Sequence, residues 1–134
     1  MDARKTLEQQ RAASAWANVT SVPREKGKQY GSLARGLAAM IQTNGLGQTL
    51  AFLLSKAGND RTNAHARLYG HLDCWLSQNV THGTDLLQWI TQQSSDGYRR
   101  ASVEALAYSV WLARFAEAKG WGQEQLGGEN DSAA

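Results

Sequence analysis

The sequence predicts an all-α fold, a compact bundle of about six helices with no β-sheet. Three observations predict it. The only proline among the 134 residues is Pro23, so nothing else in the chain blocks a helical hydrogen bond covalently. No segment alternates apolar and polar residues for long enough to make a half-buried strand. Apolar side chains instead recur at three- and four-residue intervals in segment after segment, which stacks them on one helix face.

The elements follow in order. A first helix over residues 4–20 stacks Leu7, Arg11, Ala15 and Val19. Val22-Pro23 stops it, because the residue before a proline avoids helical dihedrals. The charged run "REKGKQ", residues 24–29, reads as a basic connector. A second helix carries Leu33, Leu37, Met40 and Ile41 on one stripe, and a third carries Leu46, Leu50, Leu53 and Leu54. Residues 56–63 form a loop with Gly58 as helix cap. The fourth helix, residues 64–79, turns Leu68, Leu72, Trp75 and Leu76 inward. A short fifth begins at Thr84 or Asp85 and holds Leu86, Leu87, Trp89 and Ile90; "SSDG", 94–97, breaks it. The sixth and longest spans residues 98–119 and is apolar on most sides, which predicts a central position.

These stripes predict burial of Leu37, Ile41, Leu50, Leu53, Leu72, Trp75, Leu106 and Val110. The organisation expected is a single helical domain over residues 1–119 and a flexible, Gly-rich acidic tail over 120–134, with Trp121 as its docking point.

Between the second and third stripes stands Asn44-Gly45-Leu46-Gly47-Gln48. A dinucleotide fingerprint needs three glycines after a strand, and a phosphate-binding lysine loop needs Gly-Lys before Ser or Thr; neither is here. Asn and Gly readily take the positive φ that ends a helix, so the sequence predicts a structural corner. A DNA-reading helix-turn-helix is also excluded, since "LGQTLAFLLSKAG" lacks long polar side chains to enter a groove.

Composition narrows the function. At 42% hydrophobic and 19% charged the chain is ordinary globular material. It has no apolar run near the ~18 residues of a membrane span. A polar, amphipathic N-terminus predicts no secretory signal, and the single cysteine, Cys74, fits a reducing cytoplasm. All 14 Lys and Arg, but only nine of the 12 acids, lie in residues 1–119, a net charge of +5. The acids of the last fifteen residues are Glu124, Glu129 and Asp131. A moderately basic body favours a polyanionic partner.

No catalytic or metal constellation emerges, and no cofactor is expected. His71 and Cys74 supply two ligands where zinc wants three or four, and read as a surface histidine and a core cysteine. Asp73, Asp85, Asp96 and Glu104 are scattered rather than paired. Trp16, Trp75, Trp89 and Trp111 fall within helices and read mostly as core, although an exposed one would serve to stack a base or anchor a partner. The basic residues carry the functional signal. Arg24, Lys26, Lys28, Arg35, Lys56, Arg99 and Arg100 are the candidate RNA contacts, because cations near helix ends suit phosphate contacts without base reading. Arg61 flanks the same loop as Lys56.

"YGSLARGLAAMIQTNGLGQTLAFLLSK", "YGHLDCWL" and "YRRASVEALAYSVWLARFAEA" resemble the small subunit, the fifth by that system's naming, of the type III-B CRISPR Cmr effector complex. The resemblance runs from the first helix to about Lys119. It implies a helical protein that is not an enzyme and stacks in several copies beside the other Cmr subunits. It implies that these copies line the guide RNA–target RNA duplex and help bind target RNA. The alternative is a protein–protein scaffold subunit whose basic face only balances acidic neighbours.

Overall fold

The computed structural model describes residues 5–121. Among them the chain forms six α-helices, one π-helical turn and no strand, which bears out the expected bundle. The helices are α1 Leu7–Thr20, α2 Arg24–Asn44, α3 Leu46–Ala57, α4 Ala64–Leu76, α5 Leu86–Thr91 and α6 Ser95–Ala118, with the π turn at Ser77–Thr81. Of the expected acidic tail, residues 122–134 lie outside the described residues, as does Arg4.

Most helix starts have a side-chain cause. Thr6 and Gln9 satisfy one another at the head of α1: the Gln9 N–H donates to Thr6 Oγ1 at 3.1 Å, and the Thr6 N–H donates to Gln9 Oε1 at 2.9 Å. Asn63, Asp85 and Ser94 each accept a first-turn N–H of α4, α5 and α6. α2 starts differently. Pro23 stands extended at its N-cap, and the helix begins at Arg24. Residues 24–29 are therefore the first turns of α2, not a connector. Proline forfeits no intrahelical bond at that position, and Glu25 in the first turn complements the helix dipole. For a similar reason Ser95, Asp96 and Gly97 open α6 rather than break α5. The α-helical part of the fourth helix stops at Leu76. The backbone widens into the π turn and ends where His82 and Gly83 take φ of 54° and 100°.

The corner is structural. Gly45 sits at φ 91° and ψ 156°, dihedrals open essentially to glycine alone. Its N–H donates to the Ile41 carbonyl at 2.8 Å, and its carbonyl accepts the Thr49 N–H at 3.1 Å and hydroxyl at 2.9 Å. One residue thus closes α2 and opens α3, while Asn44 stays helical.

α6 is central, packed most extensively against α2 and α1 and also against α4. α2 and α6 run antiparallel. At one end the Tyr98 hydroxyl accepts the Gly47 N–H at 3.0 Å. At the other, Trp121 packs on Tyr30 and fills the space above Gly27, where a Cβ would collide with the indole. Leu37, Ile41, Leu50, Leu53, Leu72 and Trp75 are buried as expected. Leu106 is only partly buried, and Val110 is 48% exposed. α1, α4 and α2 cover three sides of α6 and leave the fourth, with Val103 and Val110, to solvent.

A polar seam ties α1, α4 and α6 together. Glu104 receives Arg11 in a fork, Nε to Oε2 at 2.6 Å and a terminal nitrogen to Oε1 at 2.8 Å, and also accepts the Trp75 indole N–H at 2.8 Å. Trp75 stacks on Tyr108 at 5.2 Å, and the Tyr108 hydroxyl meets Ser14 and Asn18. Burial alone would push the Glu104 carboxyl up, but Arg11 and Trp75 hold it below the usual range.

Candidate nucleic-acid interface

Arg24, Lys28 and Arg35 are separated by four and seven residues, so they form a row along one edge of α2. All three are exposed, and among the described residues none joins an ion pair. Lys26 belongs elsewhere. It is half-buried on the opposite edge, near enough to Asp60 to help hold that carboxyl down, after the Thr62 hydrogen bonds that do most of it.

A second group of cations surrounds the loop at residues 58–63. Lys56 ends α3 with its amine 6.0 Å above the Phe52 ring, and it adds to the burial that lowers the pKa of His65 on α4. Arg61 is exposed on the loop itself. Arg67, on α4, donates through Nε to the Thr62 carbonyl at 2.8 Å. Arg67 is not among the candidates read from sequence; its distance of four residues from His71 and from Asn63 was the available signal.

Arg99 and Arg100 form a third group. Because α2 and α6 are antiparallel, these two lie at the C-terminal end of α2, about 30 Å from Arg24 by helix rise. Arg100 borders a recess of about 370 Å³ beside His82 and Glu104. The seven candidates therefore do not converge. They divide into the α2 row, the loop group of Lys26 and Lys56, and the pair near the start of α6.

His71 and Cys74 exchange the places read from sequence. His71 is buried and Cys74 is exposed. The buried arc of α4 ends at His71, and Cys74 lies about 60° beyond it around the helix. The His71 Nδ1 is 2.7 Å from the Tyr30 hydroxyl, and burial and then Arg67 lower its pKa to about 4. Trp16, read mostly as core, is 45% exposed; it packs edge-on against Phe115 under the Lys119 amine. Among the described residues no three His, Cys, Asp or Glu side chains stand close enough to hold a metal, and no helix is long and apolar enough to cross a membrane.

The model of the family described as CRISPR-associated protein (Cas_Cmr5) matches residues 7–119. Among solved structures, the chain is similar to a CRISPR-associated Cmr5 family protein from Thermus thermophilus. The two are 28% identical with a TM-score of 0.68, and the match covers 85% of this chain and 97% of that one.

Proposed function

The chain belongs to the CRISPR-associated Cmr5 family and is thus a subunit of the Cmr complex; on that premise we propose that it is a non-catalytic subunit that stacks in several copies and binds target RNA along the guide–target duplex. The observation that carries this reading is the row Arg24, Lys28, Arg35: three exposed cations on one edge, free of ion pairs among the described residues. Cations so disposed meet a phosphate backbone without reading bases. Lys56, Lys26, Arg99 and Arg100 serve as outlying phosphate contacts. Stacking draws on the uncovered side of α6, where Val103 and Val110 are exposed seven residues apart. Repetition then converts weak single-copy contacts into useful affinity. Glu104 accepts from Arg11, Asp85 from Gln88 and Tyr69, and Asp73 through Oδ1 from Leu86, bonds that hold helices together.

Charge reversal tests it. In an assembled complex carrying Arg24→Glu, Lys28→Glu and Arg35→Glu, helicity should be unchanged and target-RNA capture weaker. Unchanged capture by a correctly assembled triple variant would favour the scaffold reading.

A further inference from the structure

A cavity of about 660 Å³ opens beside the loop between α3 and α4, within the size range of small-molecule sites. Arg67 and His71, one turn apart on one edge of α4, are the first part of its lining, Tyr69 and Asp73 on the other edge are the second, and Asp60, Arg61 and Asp85 line it too.

The hydrogen-bond logic of His71 marks the first part as a donor site. Tyr30 is fully buried, and burial holds its phenol well above the ordinary range, so it keeps its proton. Among the described residues the one partner of that hydroxyl is His71 Nδ1, at 2.7 Å. Tyr30 therefore donates, Nδ1 accepts, and the neutral imidazole carries its own proton on Nε2. His71 lines the cavity and Tyr30 does not. His71 is 8% exposed, and its Nε2–H has no partner among the described residues. A donor left over at a cavity wall is open to water or to a ligand's acceptor.

Two cations stand with it. Arg67 engages the Thr62 carbonyl through Nε, leaving its terminal nitrogens available, and Arg61 is exposed without a partner among the described residues. Three carboxylates share the lining, each held by hydrogen bonds that fix its position without removing its charge, and the exposed Asp60 is screened by solvent. Asp60 is held by the Thr62 N–H and hydroxyl, both at 2.7 Å. Asp73 accepts the Leu86 N–H, and Asp85 accepts the Gln88 N–H and the Tyr69 hydroxyl, at the start of α5.

We propose that this cavity binds a nucleotide, with the phosphate held by Arg61, Arg67 and the His71 Nε2–H, and the sugar hydroxyls or base amino groups turned toward Asp73 and Asp85. The choice of a nucleotide among phosphate esters rests on the RNA-binding reading above. The same group is presented by a free mononucleotide and by one unit of an RNA strand, and the experiment separates them.

Full-length protein with ¹⁵N-labelled histidine is titrated with AMP, with adenosine and with a hexa-adenylate RNA. AMP or the RNA should shift the His71 Nε2 signal, and adenosine should not. Arg61→Gln with Arg67→Gln should weaken the response at least tenfold at unchanged helicity; Arg61→Gln alone, on the exposed loop, provides the readout if the double variant fails to fold. A shift with AMP assigns the site to a free nucleotide, and a shift with the RNA alone assigns it to a strand. No shift with either ligand at millimolar concentration, or an undiminished response in Arg61→Gln, would overturn the proposal. RNA binding lost on reversal of Arg24, Lys28 and Arg35 but indifferent to Arg61→Gln would sink the cavity and keep the RNA surface. AMP binding without RNA binding would do the reverse.

Discussion

Two polar clusters lie inside the bundle, and they are completed to different degrees. Around Glu104, both carboxylate oxygens, the Arg11 fork, the Trp75 indole N–H and the Tyr108 hydroxyl all have protein partners. Around His71, Nδ1 is satisfied by Tyr30, Nε2 has no partner among the described residues, and the residue lines a cavity. The first cluster has a protein partner for each of its polar groups, and it fixes α1, α4 and α6 in register. The second retains a donor, at the edge of a loop that already collects Arg61, Arg67 and Lys56. A saturated cluster marks architecture and an unsaturated one marks a place where chemistry can enter.

The largest expected effect lies in the saturated cluster. Glu104→Ala would leave the Arg11 guanidinium, whose side chain is 15% exposed, with only the exposed Glu8 at 2.9 Å, and leave the Trp75 N–H without its acceptor. With Glu8 left to Arg11, the loss should be about 3 kcal/mol, the low end for a buried pair, measured as a shift in the urea midpoint at constant slope. A loss under about 1 kcal/mol, the range of an exposed pair, would mean that the seam does not hold the helices.

Next is the pH dependence of the unsaturated cluster. His71 is held near pKa 4 when folded, against an ordinary 6.5. The unfolded chain therefore binds the extra proton first as pH falls. The stability contributed is fully present above 6.5 and is lost progressively toward 4, up to about 3 kcal/mol in all. His71→Asn should flatten the curve in that window. The Glu104 contribution has the same sign but is lost at lower pH, since its folded pKa lies below the ordinary value of 4.5. A wild-type curve flat between pH 6.5 and 4 would contradict the burial of a neutral His71.

The smallest effect is Tyr30→Phe, about 1–2 kcal/mol, because it leaves the buried His71 Nδ1 without its donor. It should also free the His71 tautomer, visible as a change in the ¹⁵N ring shifts. An unaltered tautomer would show that Tyr30 does not set it.

The same contrast explains what could be read from the sequence. Stripes such as Leu46, Leu50 and Leu53 announce their helix because burial follows the 3.6-residue period, and Gly45 announces the corner because few residues tolerate its dihedrals. Val110 misled because an apolar helix does not state how many neighbours will cover it, and here one side of α6 is left open. The charges of residues 24–29 disguised a helix start, and Gly27 within it is explained only by Trp121, distant in sequence. The separation of Arg24 from Arg99 is set by the antiparallel pairing of α2 with α6, and the pairing of Arg11 with Glu104 likewise spans most of the chain. Such long-range pairings have no local signature.

The claim that the α2 edge meets RNA phosphates is tested most directly by the salt dependence of target-RNA binding in the assembled complex. Neutralising Arg24, Lys28 and Arg35 to Gln should flatten the slope of log K against log salt by about 0.7–0.9 for each phosphate that a copy no longer neutralises. Identical slopes for the wild-type and triple-variant complexes would contradict the account.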